Sequence, residues 1–297
     1  MIASPKKLQE GSAILVALFI VALAVILATA MIVRFRNELL FYQAIFTSNH
    51  LYFKAEGATL WAKGVLINDA ANPLTIIDPL PLNFTQTLPD GTTISANLTD
   101  AQGKFNLNNL TDPEYLPIFT RLLKLAEPTL ETSKANAIGL AILKHIVEKQ
   151  FPNQQQKAFF WQISEIKNEG LLADDILQKI MPDINVLPEI TPLNINSADE
   201  KNIQSLADGI SPNQVKQILK DRNDNKNFNS LGDFIQQEQL QNAKIPTALL
   251  TLTSSYFYLT IQISREKDSL EIVDLLRRYI QNNKPMVFIV SETIKKK

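Results

Sequence analysis

The hydrophobic pattern changes period several times along this chain. Residues 12–33, "SAILVALFIVALAVILATAMIV", run apolar with only Ser12 and Thr29 as polar interruptions. A helix of that length spans a bilayer core of ~30 Å, and it exceeds the apolar region of about 7 to 15 residues found in a cleaved secretory signal. The pattern therefore predicts a membrane anchor. The alternative is a signal cut after Ala28-Thr29-Ala30, which would leave Met31, Ile32 and Val33 as an apolar stub. Lys6 and Lys7 hold the leading end in the cytoplasm, with Arg34 and Arg36 weakening the bias, so the bulk of the chain is expected outside the cytoplasm.

From Arg34 the helical pattern continues without Pro or Gly to Gly57, and Leu39, Tyr42, Phe46, Asn49, Phe53 and Leu60 form a mostly apolar stripe at three-, four- and seven-residue spacing. The helix is expected to end near Ile67, before Asn68, Asp69 and the Asn72-Pro73 pair. From Ser12 to Ile67 it would be ~84 Å long, half in lipid and half the spine of a globular domain. Pro89-Asp90-Gly91 signals a turn, and Thr92, Ile94, Ala96 and Leu98 alternate as a half-buried strand does. A second turn at 100–103 leads to Phe105 and Leu107, which alternate again, so a small meander is expected.

Helical spacing then dominates for more than a hundred residues. "TDPE" at 111–114 offers an N-cap with Pro113 in the first turn, and "SADE" at 197–200 and "SPNQ" at 211–214 have capping-box spacing. After Leu252, Tyr256, Tyr258, Thr260 and Gln262 alternate with Phe257, Leu259, Ile261 and Ile263 as a strand. In "DSLEIVDLLRRYI", Ile272, Leu275, Leu276 and Tyr279 stand at helical spacing. The organisation is a β lobe interrupted by an α insert.

Charge and composition exclude more than they specify. The net charge is -1 with a pI near 6.2, which creates no field for nucleic acid. Cysteine is absent, so disulfides, thiolate metal sites and a Cys nucleophile are excluded. His50 and His145 are the only histidines, and neither has ligand-spaced partners. No phosphate-cradling loop or nucleophile elbow is present. Asp174 and Asp175 sit where acids answer a helix dipole, and Lys295 to Lys297 are expected to be solvated. These features point to neither an enzyme nor a cofactor protein.

Residues 206–234, "LADGISPNQVKQILKDRNDNKNFNSLGDF", resemble a helix-hairpin-helix unit, with Gly209 and Ile210 in the turn and Val215 and Ile218 packing inward. In many such units the turn amides hold a DNA phosphate. Here Ser211 replaces the second turn glycine, and Asp199, Glu200, Asp208, Asp221 and Asp224 offset Lys216, Lys220 and Arg222. Phosphate contacts need a surplus of cations. A packing module is expected, with a membrane-tethered periplasmic DNA-binding protein as the alternative.

The Gly11-Ser12 junction before the apolar run, "DAQGKFNLNNL", "LPEITPLNINSADEKNIQSLADGISPNQVKQIL", "NFNSLGDF" and "SSYFYLTIQI" occur in one order along nearly the whole chain. In this the sequence resembles the type II secretion system K family, the large minor pseudopilins. The resemblance implies an α+β pilin-like fold: a long N-terminal helix packed on a small antiparallel sheet, with a large α-helical insert containing the helix-hairpin-helix-like (SAM-like) unit. It also implies a strand at 269–280 in place of the helical reading. The expected parts are a cleaved leader (1–11), a transmembrane and shaft segment (12–33), the pilin-like helix and first strands (34–110), the insert (111–250) and the final strands (251–297).

The resemblance further implies that a prepilin peptidase cuts between Gly11 and Ser12 and usually methylates the new amine; glycine offers no side chain to obstruct the cut. Most pilin-like proteins carry a glutamate five residues after that bond, thought to pair with a neighbour's terminal amine. Here the position is Val16, and no acid lies between Ser12 and Val33. A buried carboxylate in lipid is costly unless paired; a subunit lacking it is suited to the top of the stack. Expected partners are the smaller I and J minor pseudopilins, the prepilin peptidase and the inner-membrane assembly platform. The protein would sit in the inner membrane with its C-terminal bulk in the periplasm. Phe41, Phe46 and Phe53 either meet neighbouring helices or pack the local sheet. The long acidic segment that family members associate with calcium is missing from "KQFPNQQQKAFFWQISEIKNEG", so no metal ligand is assigned.

Overall fold

The computed structural model describes residues 6–71, 82–148, 159–224, 227–241 and 243–296. One helix, α1 (Lys6–Ala71), spans the junction at Gly11, the apolar run and the spine, a rod of ~100 Å. It passes the expected end at Ile67 by one turn, and the Asn72-Pro73 pair lies outside the described residues. β1 (Leu82–Thr87) and β2 (Thr93–Asp100) follow, then β3 (Phe105–Asn106). The insert contains α2 (Leu116–Ala126), α3 (Thr132–Glu148), α4 (Ile163–Asn168), α5 (Asp174–Ile180), β4 (Ile184–Asn185), β5 (Leu193–Asn194), α6 (Glu200–Gln204), α7 (Pro212–Asp224), α8 (Leu231–Ile235) and β6 (Leu250–Thr251). The chain closes with β7 (Tyr256–Arg265), β8 (Asp268–Gln281) and β9 (Lys284–Lys296).

The main sheet is antiparallel, in the order β1-β2-β7-β8-β9. Its inner face takes Ile94, Ala96 and Leu98 from β2, Leu259, Ile261 and Ile263 from β7, and Leu270, Ile272 and Leu276 from β8. The helix meets this face through Leu51, Ala55, Ala58, Ala62 and Leu66, a stripe at spacings of four, three, four and four. The three alanines let the α1 backbone lie close to the sheet, while burial of each leucine contributes about 1.5–3 kcal/mol. The stripe expected from sequence points the other way: Phe46, Phe53 and Leu60 are exposed. Large side chains carry the stronger hydrophobic signal, but a tightly packed helix–sheet seam selects small ones.

Residues 269–280 are strand, and the misleading helical spacing has a structural cause. Ile272 and Leu276 face α1, whereas Leu275 lies on the opposite face with Ala101, Leu187 and Tyr256. Both faces are covered here, so Leu275 and Leu276 are adjacent yet both buried. The register with β9 shifts between them, adding one residue on β9. Two further expectations are corrected. Phe105 does not continue the meander; β3 leaves the main sheet to pair in parallel with β4, and Leu107 begins a 3₁₀ helix. Asp199, not Ser197, caps α6, accepting from the Asn202 amide at 2.9 Å, because the Ser197 hydroxyl is turned to the Asn194 carbonyl. Lys295 sits in the edge strand with its side chain 3.6 Å from Glu271.

The insert has its own apolar core, built on Phe119, Leu122, Ile142, Ile180, Ile203 and Phe234. Buried amide side chains brace its loops and its neck. Asn108 donates to the carbonyls of Phe160 and Leu187 at 2.9 and 2.8 Å and accepts from the Phe160 amide at 3.0 Å. Asn106 accepts from the Leu187 amide at 3.0 Å, and Asn109 exchanges two bonds with the backbone of Thr191. At the neck, Asp100 accepts from the Ser254 hydroxyl at 2.7 Å and Asn194 Nδ2 at 2.8 Å. Gly103 fits here because a Cβ would lie 2.5 Å from the Ser197 carbonyl oxygen. These side chains satisfy loop backbone that no sheet pairs.

Replacing Asn108 leaves three buried backbone groups unpaired, each costing about 1–3 kcal/mol. Asn108→Ala is expected to lower the unfolding free energy of the detergent-solubilised protein by at least ~2 kcal/mol in urea titrations. A change under about 0.5 kcal/mol would contradict this role.

Candidate assembly surface

From Ser12 to Phe46 every residue of α1 is exposed. The apolar run therefore finds no cover within its own chain, and Val16 stands 56% exposed at the fifth place after Gly11. The first ion pair after the run is Arg34 with Glu38 at 3.1 Å, one turn apart, where a bilayer would give way to water.

A second exposed feature continues up the spine. Leu39, Phe46, Phe53 and Leu60, each seven residues from the next, are 45%, 73%, 65% and 69% exposed. Seven-residue spacing keeps them on one slowly drifting flank. Phe41 is also exposed, and Phe46 stacks on His50 with ring centroids 6.1 Å apart. Of the two readings left open by the sequence, local sheet packing by Phe41, Phe46 and Phe53 is excluded by this exposure. The flank runs beside β9, where the Tyr52 hydroxyl donates to Glu292 at 3.1 Å.

At the top of the rod Arg278 connects three elements. It pairs with Asp69 in the last turn of α1, donates to the Ser254 carbonyl at 2.9 Å where the insert returns to the sheet, and lies 5.0 Å from the centre of the Phe257 ring. The insert is thus seated at the end of α1 opposite the apolar run. Glu189 reinforces the seat, accepting from the Tyr256 hydroxyl at 2.9 Å and pairing with Arg277 at 2.7 Å.

The helix-hairpin-helix unit is built as expected, with Gly209 at φ +81° and Val215 and Ile218 buried. Two amides at the start of its second helix are already occupied. Gln214 Oε1 accepts from the Ser211 amide at 2.8 Å, and Ser211 Oγ accepts from the Gln214 amide. Arg222 is turned inward, donating to the carbonyls of Ile195 and Ala198 at 3.0 and 2.7 Å. A phosphate would have to displace the unit's own cap, so the geometry serves packing. Among the described residues no cluster of three or more His, Cys, Asp or Glu is arranged to hold a metal. His145 stacks on Phe160 at 5.4 Å and His50 on Phe46.

This arrangement has counterparts among known proteins. A model of the family "Type II secretion system (T2SS), protein K" matches residues 193–253, the stretch from β5 through the helix-hairpin-helix to the neck. Type II secretion system protein K of Pseudomonas aeruginosa is 23% identical over 91% of this chain and 89% of its own length. Both sequence comparisons show similarity to type II secretion system protein K. A chain of the GspK-GspI-GspJ complex of the enterotoxigenic Escherichia coli type 2 secretion system superposes with a TM-score of 0.64 at 18% identity, covering 84% of this chain and 99% of that one. The protein K fold is thus reproduced: long helix, antiparallel sheet and helical insert.

Sequence reasoning missed one polar residue beneath the exposed flank. Asp274 of β8 is fully buried against α1, bonded to the Thr59 hydroxyl at 3.2 Å, and its other oxygen has no hydrogen-bond partner among the described residues. Burial, seconded by the nearby Glu292 charge, raises its pKa from 3.8 to about 6, against the Thr59 bond and Lys63. An acid whose pKa is raised in the folded state favours folding when protonated, so the Asp274 site costs nothing below about pH 4 and its cost grows as pH rises towards and through 6. At about 1.4 kcal/mol per unit, the cost above pH 7 is up to ~3 kcal/mol. Asp274→Asn is expected to raise the unfolding free energy at pH 8 and to flatten its pH dependence between 4 and 7. An Asn variant that loses as much stability as the parent between pH 4 and 7 would contradict the assignment.

Proposed function

We propose that this protein is a structural minor pseudopilin that occupies the tip of the type II secretion pseudopilus and helps start its assembly for export of proteins across the outer membrane. The observation that carries the reading is the seat of the insert at the far end of α1, fixed by Arg278 between Asp69 and Ser254. A subunit stacked above would have to pass this domain. The exposed apolar run serves as anchor in the inner membrane and then as packed shaft, and the spine and sheet stand in the periplasm.

The acid-free run supports the same position. With valine at residue 16 and no Asp or Glu from Ser12 to Val33, the segment offers no anion to the amine of a subunit above. The GspK-GspI-GspJ complex holds three such proteins together, and I- and J-type pseudopilins are the proposed neighbours here, meeting Phe41, Phe46 and Phe53. The prepilin peptidase cuts after Gly11 and methylates Ser12, and the assembly platform receives the mature subunit. The role requires no catalysis.

Processing tests the reading. Edman sequencing of the protein from native membranes is expected to begin at Ser12, and Gly11→Leu is expected to leave a slower-migrating precursor and to stop export. A mature chain starting at Met31, or normal export with Gly11→Leu, would overturn it.

A further inference from the structure

Between α1 and the edge strand β9 runs a groove of about 240 Å³, walled by Tyr52, Glu56, Leu60 and Lys63 on the helix and by Ile289 and Glu292 on the strand. Its chemistry is uneven. Glu56 and Glu292 form no ion pair among the described residues, and Lys63 is the single cation lining the groove. Behind Thr59, which also lines it, lies the buried Asp274 with one oxygen unpartnered among the described residues. Leu60 is 69% and Ile289 37% exposed, so apolar surface flanks the acids. β9 is also a terminal strand of the sheet, 13 residues long, and from Met286 to Ile294 its only charge is Glu292. Free edges of this length and polarity are ordinarily covered or blunted.

We propose that the groove is a docking site for a different subunit of the same assembly, one presenting a lysine or arginine flanked by apolar side chains. The cation sits between Glu56 and Glu292, and the apolar flanks rest on Leu60 and Ile289. This rests on the pseudopilin reading above and adds the chemistry of the partner. A second copy of this chain is the wrong occupant, because groove against groove would bring four glutamates together. An arriving cation instead offsets both rim acids and the uncompensated carboxylate behind them, and such complementarity fixes register and speeds encounter.

The test uses the full-length protein in detergent with purified I- and J-type pseudopilins. The double variant Glu56→Lys/Glu292→Lys is expected to bind one of them about 10-fold or more weakly while keeping a cooperative melting transition, because both positions are exposed, and parent affinity is expected to fall with rising salt. A photoreactive phenylalanine analogue replacing Leu60 is expected to cross-link to a peptide of that partner containing lysine or arginine. Parent-like, salt-independent affinity of the double variant would overturn the groove, as would a cross-link to a second copy or to a peptide without a basic residue. Should the double variant misfold, Glu56→Gln and the cross-link decide. Export by cells lacking the protein separates the two readings: normal export would refute the pseudopilin role itself, whereas export lost with groove variants binding normally would refute the groove alone.

Discussion

A helical segment of some 50 Å, apolar from Ser12 to Val33, that finds nothing to pack against in its own chain is the constraint behind the rest of this structure. From Ser12 to Phe46 no residue is covered, so the segment needs lipid or the equivalent segments of neighbours. The domain at its end is consequently built to leave the rod accessible. It grips α1 from one side only, through Leu51, Ala55, Ala58, Ala62 and Leu66, and its bulk lies beyond the last turn. The opposite flank keeps Phe46, Phe53 and Leu60 in the open.

Placing a large helical insert at the end of a rod demands a stiff joint. Apolar burial gives spine and sheet one core and the insert another, with a small cluster of Ala101, Leu187, Tyr256 and Leu275 between them. Oriented hydrogen bonds brace the loops and the neck around that cluster. Asn106, Asn108 and Asn109 pair with the loop that carries Leu187 and Thr191, and Asp100 gathers Ser254 and Asn194 at the neck. Hydrogen bonds are directional where hydrophobic contact is not, so they set the angle of the insert as well as its attachment. The protein K family match begins in this joint, at Leu193.

Much of this was legible in the residues. The apolar run, the strand containing Ile94 and Leu98 and the final strand from Tyr256 announce themselves by period. The helical spacing within 269–280 misled because Leu275 is buried on the opposite face from Ile272 and Leu276, which adds one buried position to an alternating strand. The alanine stripe was hidden because alanine contributes little to a hydrophobic pattern, although its spacing of four, three, four and four was present in the sequence. The asparagines of "NLNNL" looked like loop residues, since nothing local tells a solvated amide from one pairing with a backbone some 80 residues away. Asp274 was masked by its setting among alternating residues, and the partnerless oxygen appears only once α1 is laid over it.

The central claim is that a rod with an acid-free apolar run at one end and its insert at the other can only finish a stack. Immunogold labelling of pseudopili, with antibody raised against the insert, tests this most directly. Label at one end of each filament is the result expected, and label distributed along the shaft would contradict the account.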